Sequence, residues 1–248
     1  PQLRLIKEMF RLLGDNKGKG TDEGVSGLRA FIMTAAGRVG VGNIAGMATA
    51  IALGGPGAIF WLWVVALFGT AIALIESTLA QAYKITVNGE FRGGPAYYIQ
   101  NALKKPGIAK LFALLISVTF GLIYNSVQAN TIALSVETAF GLDHVTTALV
   151  LCVLTALVIF GGMTRIAKVA ELLVPVMAGI YLLAAFIVFI TCIDQVPAMF
   201  ALIFHDAFTP QAAVGGGIGT AILTGVKRGL FSNEAGEGSV PNAAATAT

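Results

Sequence analysis

The stretch "RVGVGNIAGMATAIALGGPG", Arg38–Gly57, lies inside a long apolar run, and its reading decides the fold. It places an arginine, an asparagine and repeated glycines where a plain hydrophobic helix would carry leucine and valine. The composition around it makes that interruption costly. Hydrophobic residues make up 56% of the 248 residues and charged residues 12%, with a mean hydropathy of +0.81. A soluble domain carries roughly 25% charged residues. These values describe an all-α polytopic membrane protein whose main solvent is lipid, so the bilayer is its first partner. A net charge of +3 says little about other partners and points to no nucleic acid.

In a bilayer the backbone satisfies its own hydrogen bonds, so helix broken by glycine is tolerated only beside protein or a watery cavity. The quoted stretch therefore has two readings. In one, "GNIAG" (42–46) is a small-xxx-small face that lets another helix approach. In the other, the helix unwinds around Gly40–Asn43, freeing carbonyls for a cation and N–H groups for a carboxylate, as at the midplane sites of secondary transporters. Gly40, Gly42 and Ala45 also loosely fit a dinucleotide fingerprint. That motif needs a preceding strand and a βαβ unit, and the sequence offers neither.

Outward from this stretch the sequence divides into an amphipathic segment, 1–25, and a transmembrane domain, 26–248. Spans are expected at about 26–53, 57–83, 111–140, 145–160, 166–193 and 212–240, each long enough for about 30 Å of hydrocarbon. In the leading segment, Leu3–Leu13 keeps Arg4, Lys7, Glu8 and Arg11 on one side, as in a helix lying at the membrane surface or a solvated one. No charged n-region with a short apolar core and cleavage site opens the chain, so no signal peptide is expected. Of the 16 Lys and Arg, all but Arg38, Lys227 and Arg228 fall in or beside the segment before the first span, the connection between the second and third, or that between the fourth and fifth, with Arg29 at the start of the first span and Lys168 at the start of the fifth. The alternate connections, "GGP" (54–56), "GLDH" (141–144) and Asp194–Gln211, contain none. By the positive-inside rule the N-terminus is expected in the cytoplasm and the protein in the cell (inner) membrane.

Further polar residues lie at membrane depth. Glu76, in the second span, calls for a partner. Arg38 is the candidate, with Glu234 as the other acid available to Arg38; snorkelling to the inner interface is the alternative for Glu76. In "YNSVQAN" (124–130), Asn125 and Gln128 share a helical face with Gly121. They serve either hydrogen bonds to neighbouring helices or a polar cavity. Pro175 is expected to kink the fifth span. The end of the chain, "GGGIGTAILTGVKRGLFSNEAGEGSVPNAAATA", is too polar for lipid and too apolar for a free loop, which fits a discontinuous helix. Cys152 and Cys192 make no metal spacing and are expected in the core. His144 and His205 are placed in outer loops without partners. No catalytic motif appears, so no enzyme is expected.

The segments "VGVGNIAGMATAI", "GGPGAIFWLWVVALFG", "GGPAYYIQ", "NSVQAN" and "RGLFSNEAGEGSVPNAAATA" resemble the alanine/glycine:cation symporter family, also called sodium:alanine symporters, of the amino acid–polyamine–organocation superfamily. The resemblance implies a fold of two five-helix inverted repeats with broken first and sixth helices. This chain would supply the first repeat and the start of the second, and is expected to be partial. It also implies symport of a small neutral amino acid, alanine or glycine, with Na⁺ as coupling ion and no other cofactor. Carried onto matching positions, Gly40, Gly42, Asn43, Asn125, Gln128, Phe231, Ser232 and Asn233 would meet the substrate, with Phe231 as wall. Gly40, Val41 and Asn43 would meet Na⁺. Position 237 departs from the family pattern, with Glu where a small hydrophobic residue is usual. A channel-like or non-transporting module, with glycines serving packing alone, is the competing expectation.

Overall fold

The computed structural model describes residues 4–15, 20–21, 24–209 and 219–248. Lys17, Lys19 and the expected start of the sixth span near Ala212 lie outside the described residues. The elements in chain order are helices joined by short turns, with one small hairpin. Helix α1 is Ile6–Asp15, α2 Gly27–Arg38, α3 Val41–Gly54 and α4 Gly57–Ala82. Strands β1 (Ile85–Val87) and β2 (Glu90–Arg92) pair antiparallel with Ile85 opposite Arg92, a feature the all-α expectation did not include. Their turn is Asn88-Gly89, both at positive φ (54° and 78°), as a two-residue type I′ hairpin requires. Helix α5 is Pro95–Asn101, α6 Pro106–Val118, α7 Asn125–Phe140, α8 His144–Ile159 and α9 Gly162–Thr191. A π-helical segment, Thr119–Tyr124, joins α6 to α7. After a 3₁₀ turn at Ile193–Gln195 come α10 (Val196–Ala207), α11 (Gly219–Asn233) and α12 (Ser239–Ala245).

Among the described residues, four helical stretches are long and apolar enough to cross a membrane: Gly27–Gly54, Gly57–Ala82, Pro106–Phe140 and Arg165–Thr191. His144–Ile159 is a shorter apolar helix. This is a multi-pass membrane protein. Large apolar side chains remain exposed along α8 and α9 because lipid, unlike water, exacts no penalty for them. The same reason corrects the cysteine expectation: Cys152 and Cys192 are both exposed. Helix α9 continues through Pro175. The Asp194–Gln211 connection contains α10, started by Pro197 in its first turn, where a loop was expected.

The chain divides into two compact units. One comprises Pro1–Gly37, Ala71–Leu172 and Gly236–Thr248. Here the C-terminal segment is built into the packing. Val25 N–H donates to the Thr246 carbonyl (2.9 Å), and Thr248 N–H to the Val25 carbonyl (3.1 Å). Carbonyls at and just beyond the end of α12 are met by side chains near the end of α4: Gln81 donates to Ala244 (2.6 Å) and Lys84 to Ala247 (2.6 Å). Lys84 also lies 4.0 Å from the Phe91 ring centroid, and burial pushes its ammonium pKa down. Gly238, at φ 92°, lies where a Cβ would stand 2.8 Å from the Phe112 ring, so a left-handed turn and close packing coincide there. Arg29 pairs with Glu171 at 2.9 Å. His144 is not without a partner: its Nδ1 is 3.6 Å from Glu137, across the turn closed by Gly141 and the Asp143 cap. That cap, the Thr146 N–H, holds the Asp143 carboxyl below its usual range. A cavity of about 900 Å³ opens among Arg29, Phe91, Tyr97, Phe112 and Thr246.

The other unit comprises Arg38–Thr70 and Leu173–Ala235. Helix α10 closes against the start of α4. The Asp206 carboxylate accepts from Gly57 N–H (2.7 Å), capping α4 where its dipole is positive. Trp61 donates to the Ala207 carbonyl (3.1 Å), and Phe60, Trp61, Phe204 and Phe208 stack edge to face around the joint. His205 belongs to the last turn of α10 and not to a loop.

Candidate functional site

Between α2 and α3 the chain leaves helical geometry for Val39 and Gly40 alone. Gly40 is extended (φ −130°, ψ −177°), and its carbonyl accepts from Asn43 N–H (3.0 Å) and Ile44 N–H (3.3 Å). The break is therefore narrower than Gly40–Asn43. Gly42 and Asn43 already belong to the first turn of α3, because the Gly40 carbonyl starts the new helix at once. No side chain caps that turn. Helix α11 also ends sharply: Glu234, at φ 54°, turns the chain away after Asn233, and helix resumes only at Ser239.

Within the second unit these helix ends meet in one network. Asn43 donates its amide to the Arg38 carbonyl, bridging the break from below. The Ser232 hydroxyl donates to Asn43 Oδ1, tying α11 to α3. Arg38 Nε donates to the Asn233 carbonyl at 3.2 Å, and Glu234 is its acidic neighbour. The guanidinium thus lies at two helix C-termini, its own and that of α11, where a cation is favoured by both dipoles. Of the two acids the sequence offers Arg38, Glu234 is the one that shares its unit.

The helix breaks at Val39–Gly40, and "GNIAG" also forms a contact face. A Cβ at Gly42 would stand 2.5 Å from Phe231 Cε1, so the phenyl ring rests on the space glycine leaves. One turn along, a Cβ at Gly46 would stand 3.7 Å from the Arg228 guanidinium. The other side of α11 packs on α4 by a stripe at i, i+4 spacing: buried Ala221, then Gly225, Gly229 and Asn233. Gly225 lies against Ala58 and Trp61, Gly229 against Val65. Asn233 Nδ2 donates to the Ala66 carbonyl at 3.3 Å and presses on Gly69, so this amide faces α4. The stripe is legible in the sequence as small residues at i, i+4 spacing ahead of the polar "SNEAG".

The remaining candidates belong to the first unit. Glu76 accepts from Gly236 N–H at 3.0 Å, so its partner is a backbone amide beside the α11–α12 break. Glu237 accepts from the Tyr124 hydroxyl at 2.8 Å, which gives the unusual acid a donor. Tyr124 closes the π-helical segment, whose wider turn falls immediately before Asn125. Asn125 donates to the Gly121 carbonyl at 3.1 Å, and Gln128 follows in α7. Burial, aided by Glu76, pushes the Tyr98 phenol up to about 12. Among the described residues no cluster of three or more His, Cys, Asp or Glu could hold a metal.

The arrangement is suited to binding by backbone dipoles: an α3 N-terminus and the C-termini of α2 and α11 converge around two small polar side chains. Comparison with known proteins agrees with a carrier. The model of the sodium:alanine symporter family matches residues 1–248. The amino-acid carrier protein AlsT of Bacillus subtilis is 54% identical over 246 residues, covering 99% of this chain and 52% of that protein. The probable sodium/glutamine symporter GlnT of the same organism is 51% identical over 248 residues, covering 100% and 52%. The sodium/alanine symporter AgcS of Methanococcus maripaludis is 45% identical over 253 residues, covering 99% and 56%. The chain spans about half the length of these curated relatives. They are transporters and not enzymes. The chain belongs to the sodium:alanine symporter family.

Proposed function

We propose that this chain carries the substrate-binding helices of a Na⁺-coupled symporter for a small neutral amino acid, alanine or glycine, in the cell membrane with its N-terminus in the cytoplasm. The observation that carries this reading is the convergence of three helix ends on the Asn43–Ser232 pair. A zwitterion needs opposite fields a few ångströms apart. The N–H groups of the uncapped α3 turn, at Gly40–Gly42, supply the positive one for its carboxylate. The Asn43 and Ser232 side-chain oxygens supply the negative one for its ammonium, since Arg38 already occupies the carbonyl ends of α2 and α11. Phe231, held against Gly42, walls the side-chain space in this proposal.

Na⁺ is a hard cation and takes oxygen donors. The carbonyls of Gly40 and Val41 and the Oδ1 of Asn43 are the proposed set, and Ser232 rotates its hydroxyl to release Oδ1 as the ion arrives. Relatives named for alanine and for glutamine share this level of identity, so side-chain size is the variable to test. Labelled alanine, glycine and glutamine uptake is measured in cells expressing the gene product, with and without Na⁺. Expected are Na⁺-dependent alanine or glycine uptake and about a tenfold loss of Na⁺ affinity in Asn43→Ala, the worth of one hydrogen-bond-sized interaction. Uptake indifferent to both Na⁺ and Asn43→Ala would overturn the cation assignment.

A further inference from the structure

We propose that α1 binds anionic phospholipid, lying along the membrane surface with its apolar side in the boundary between headgroups and acyl chains. Helix α1 has 10 residues. At 1.5 Å per residue it is about 15 Å long, half of the roughly 30 Å needed to cross the hydrocarbon. Its sides are segregated. At about 100° per residue, Ile6, Met9, Phe10 and Leu12, with Leu5 of the preceding turn, fall on one side. Arg4, Lys7, Glu8 and Arg11 fall on the other. Every one of those apolar side chains is exposed, Phe10 by 72%. The spanning helices are long and predominantly apolar, and lipid tails suit most of their exposed surface. A one-sided helix of this length instead fits a place where one side meets tails and the other meets water.

The charges choose the lipid. Arg11 binds Glu8 through Nε at 2.9 Å, so these two cancel. Arg4 and Lys7 then leave the N-terminal half of the polar side net positive, while Asp15 ends the helix and the segment after it holds Lys17 and Lys19 followed by Asp22 and Glu23. Cations flanking an interfacial helix favour anionic headgroups, each shifting binding about fivefold. A second protein surface would have to match both a greasy ridge and a basic flank. An anionic leaflet supplies both at once and is already adjacent to α2.

The test places an environment-sensitive fluorophore on Phe10→Cys in a Cys152→Ala, Cys192→Ala background of the whole gene product, reconstituted in vesicles. Quenching by lipids spin-labelled near the headgroup is compared between phosphatidylcholine alone and its mixture with phosphatidylglycerol. A label on Val150→Cys, in lipid-exposed α8, verifies insertion. Expected is at least about twofold stronger quenching at position 10 with the anionic lipid, abolished by Arg4→Glu with Lys7→Glu and weakened at high salt. Quenching equal in both compositions overturns the lipid preference. Absence of quenching in both, with position 150 quenched, overturns membrane contact and assigns the ridge to protein. Neither outcome depends on what the protein transports.

Discussion

Asn43 joins the two sides of the helix break by using both halves of its amide, the nitrogen toward Arg38 and the oxygen toward Ser232. A carboxylate at this position would keep the second contact and lose the first, which is why an amide suits it. Gly42 is set by a neighbour and not by its own dihedral angles. Any side chain there meets the Phe231 ring at 2.5 Å. Gly42→Ala is therefore expected to displace Phe231 and lower alanine uptake about tenfold or more, with partial recovery in Gly42→Ala/Phe231→Leu; uptake kinetics of the two variants check this. Tyr98 offers a spectroscopic test. Its phenol rises from 10.0 to about 12 through burial and Glu76, so the folded state holds this proton more tightly than the unfolded one. Its contribution to stability is complete below pH about 10 and is lost as pH rises through about 12. Among the five tyrosines, ultraviolet phenolate titration should show a late step that Tyr98→Phe removes.

At the scale of elements, α11 is held from two sides by different means. Toward α3 it presents Phe231 and Ser232, a large ring and a hydroxyl that fit a glycine and an asparagine. Toward α4 it presents Gly225 and Gly229, which bring the two backbones together without side chains between them. In lipid this close approach is the main attraction between helices, since tails are as apolar as leucine. Gly225→Val should force α11 off α4, costing about 1–3 kcal/mol, read as a lower aggregation temperature of the detergent-solubilised protein. Leu223→Val, on the exposed side, should leave it nearly unchanged. The π-helical segment has a comparable role in the third long helix. One wide turn at Thr119–Tyr124 re-aims Tyr124, whose hydroxyl reaches Glu237. Tyr124→Phe removes that bond from a part-buried carboxylate, so it should cost more, by about 1–2 kcal/mol, than Tyr124→Phe combined with Glu237→Leu. Thermal unfolding of the two variants measures the difference.

For the molecule as a whole, topology is the property to test first. A cysteine at Asn88, in the hairpin turn, should be labelled only from the cytoplasmic side, and one at Leu142 only from outside; membrane-impermeant thiol reagents on intact cells and inverted vesicles separate the two. The sequence by itself determined the membrane character and the long helices, because these follow from local hydrophobicity. It also located the break near Gly40 and the discontinuity after Asn233, since glycine clusters and polar residues at membrane depth are local signals. Only the tertiary structure decided what those residues do. Arg38 spans from α2 to the end of α11 across 195 residues of sequence, Glu76 finds a backbone amide at Gly236, and Asn233 turns to α4. A buried polar group takes whichever partner the packing brings within about 3 Å, and in this chain most such partners lie far away in sequence.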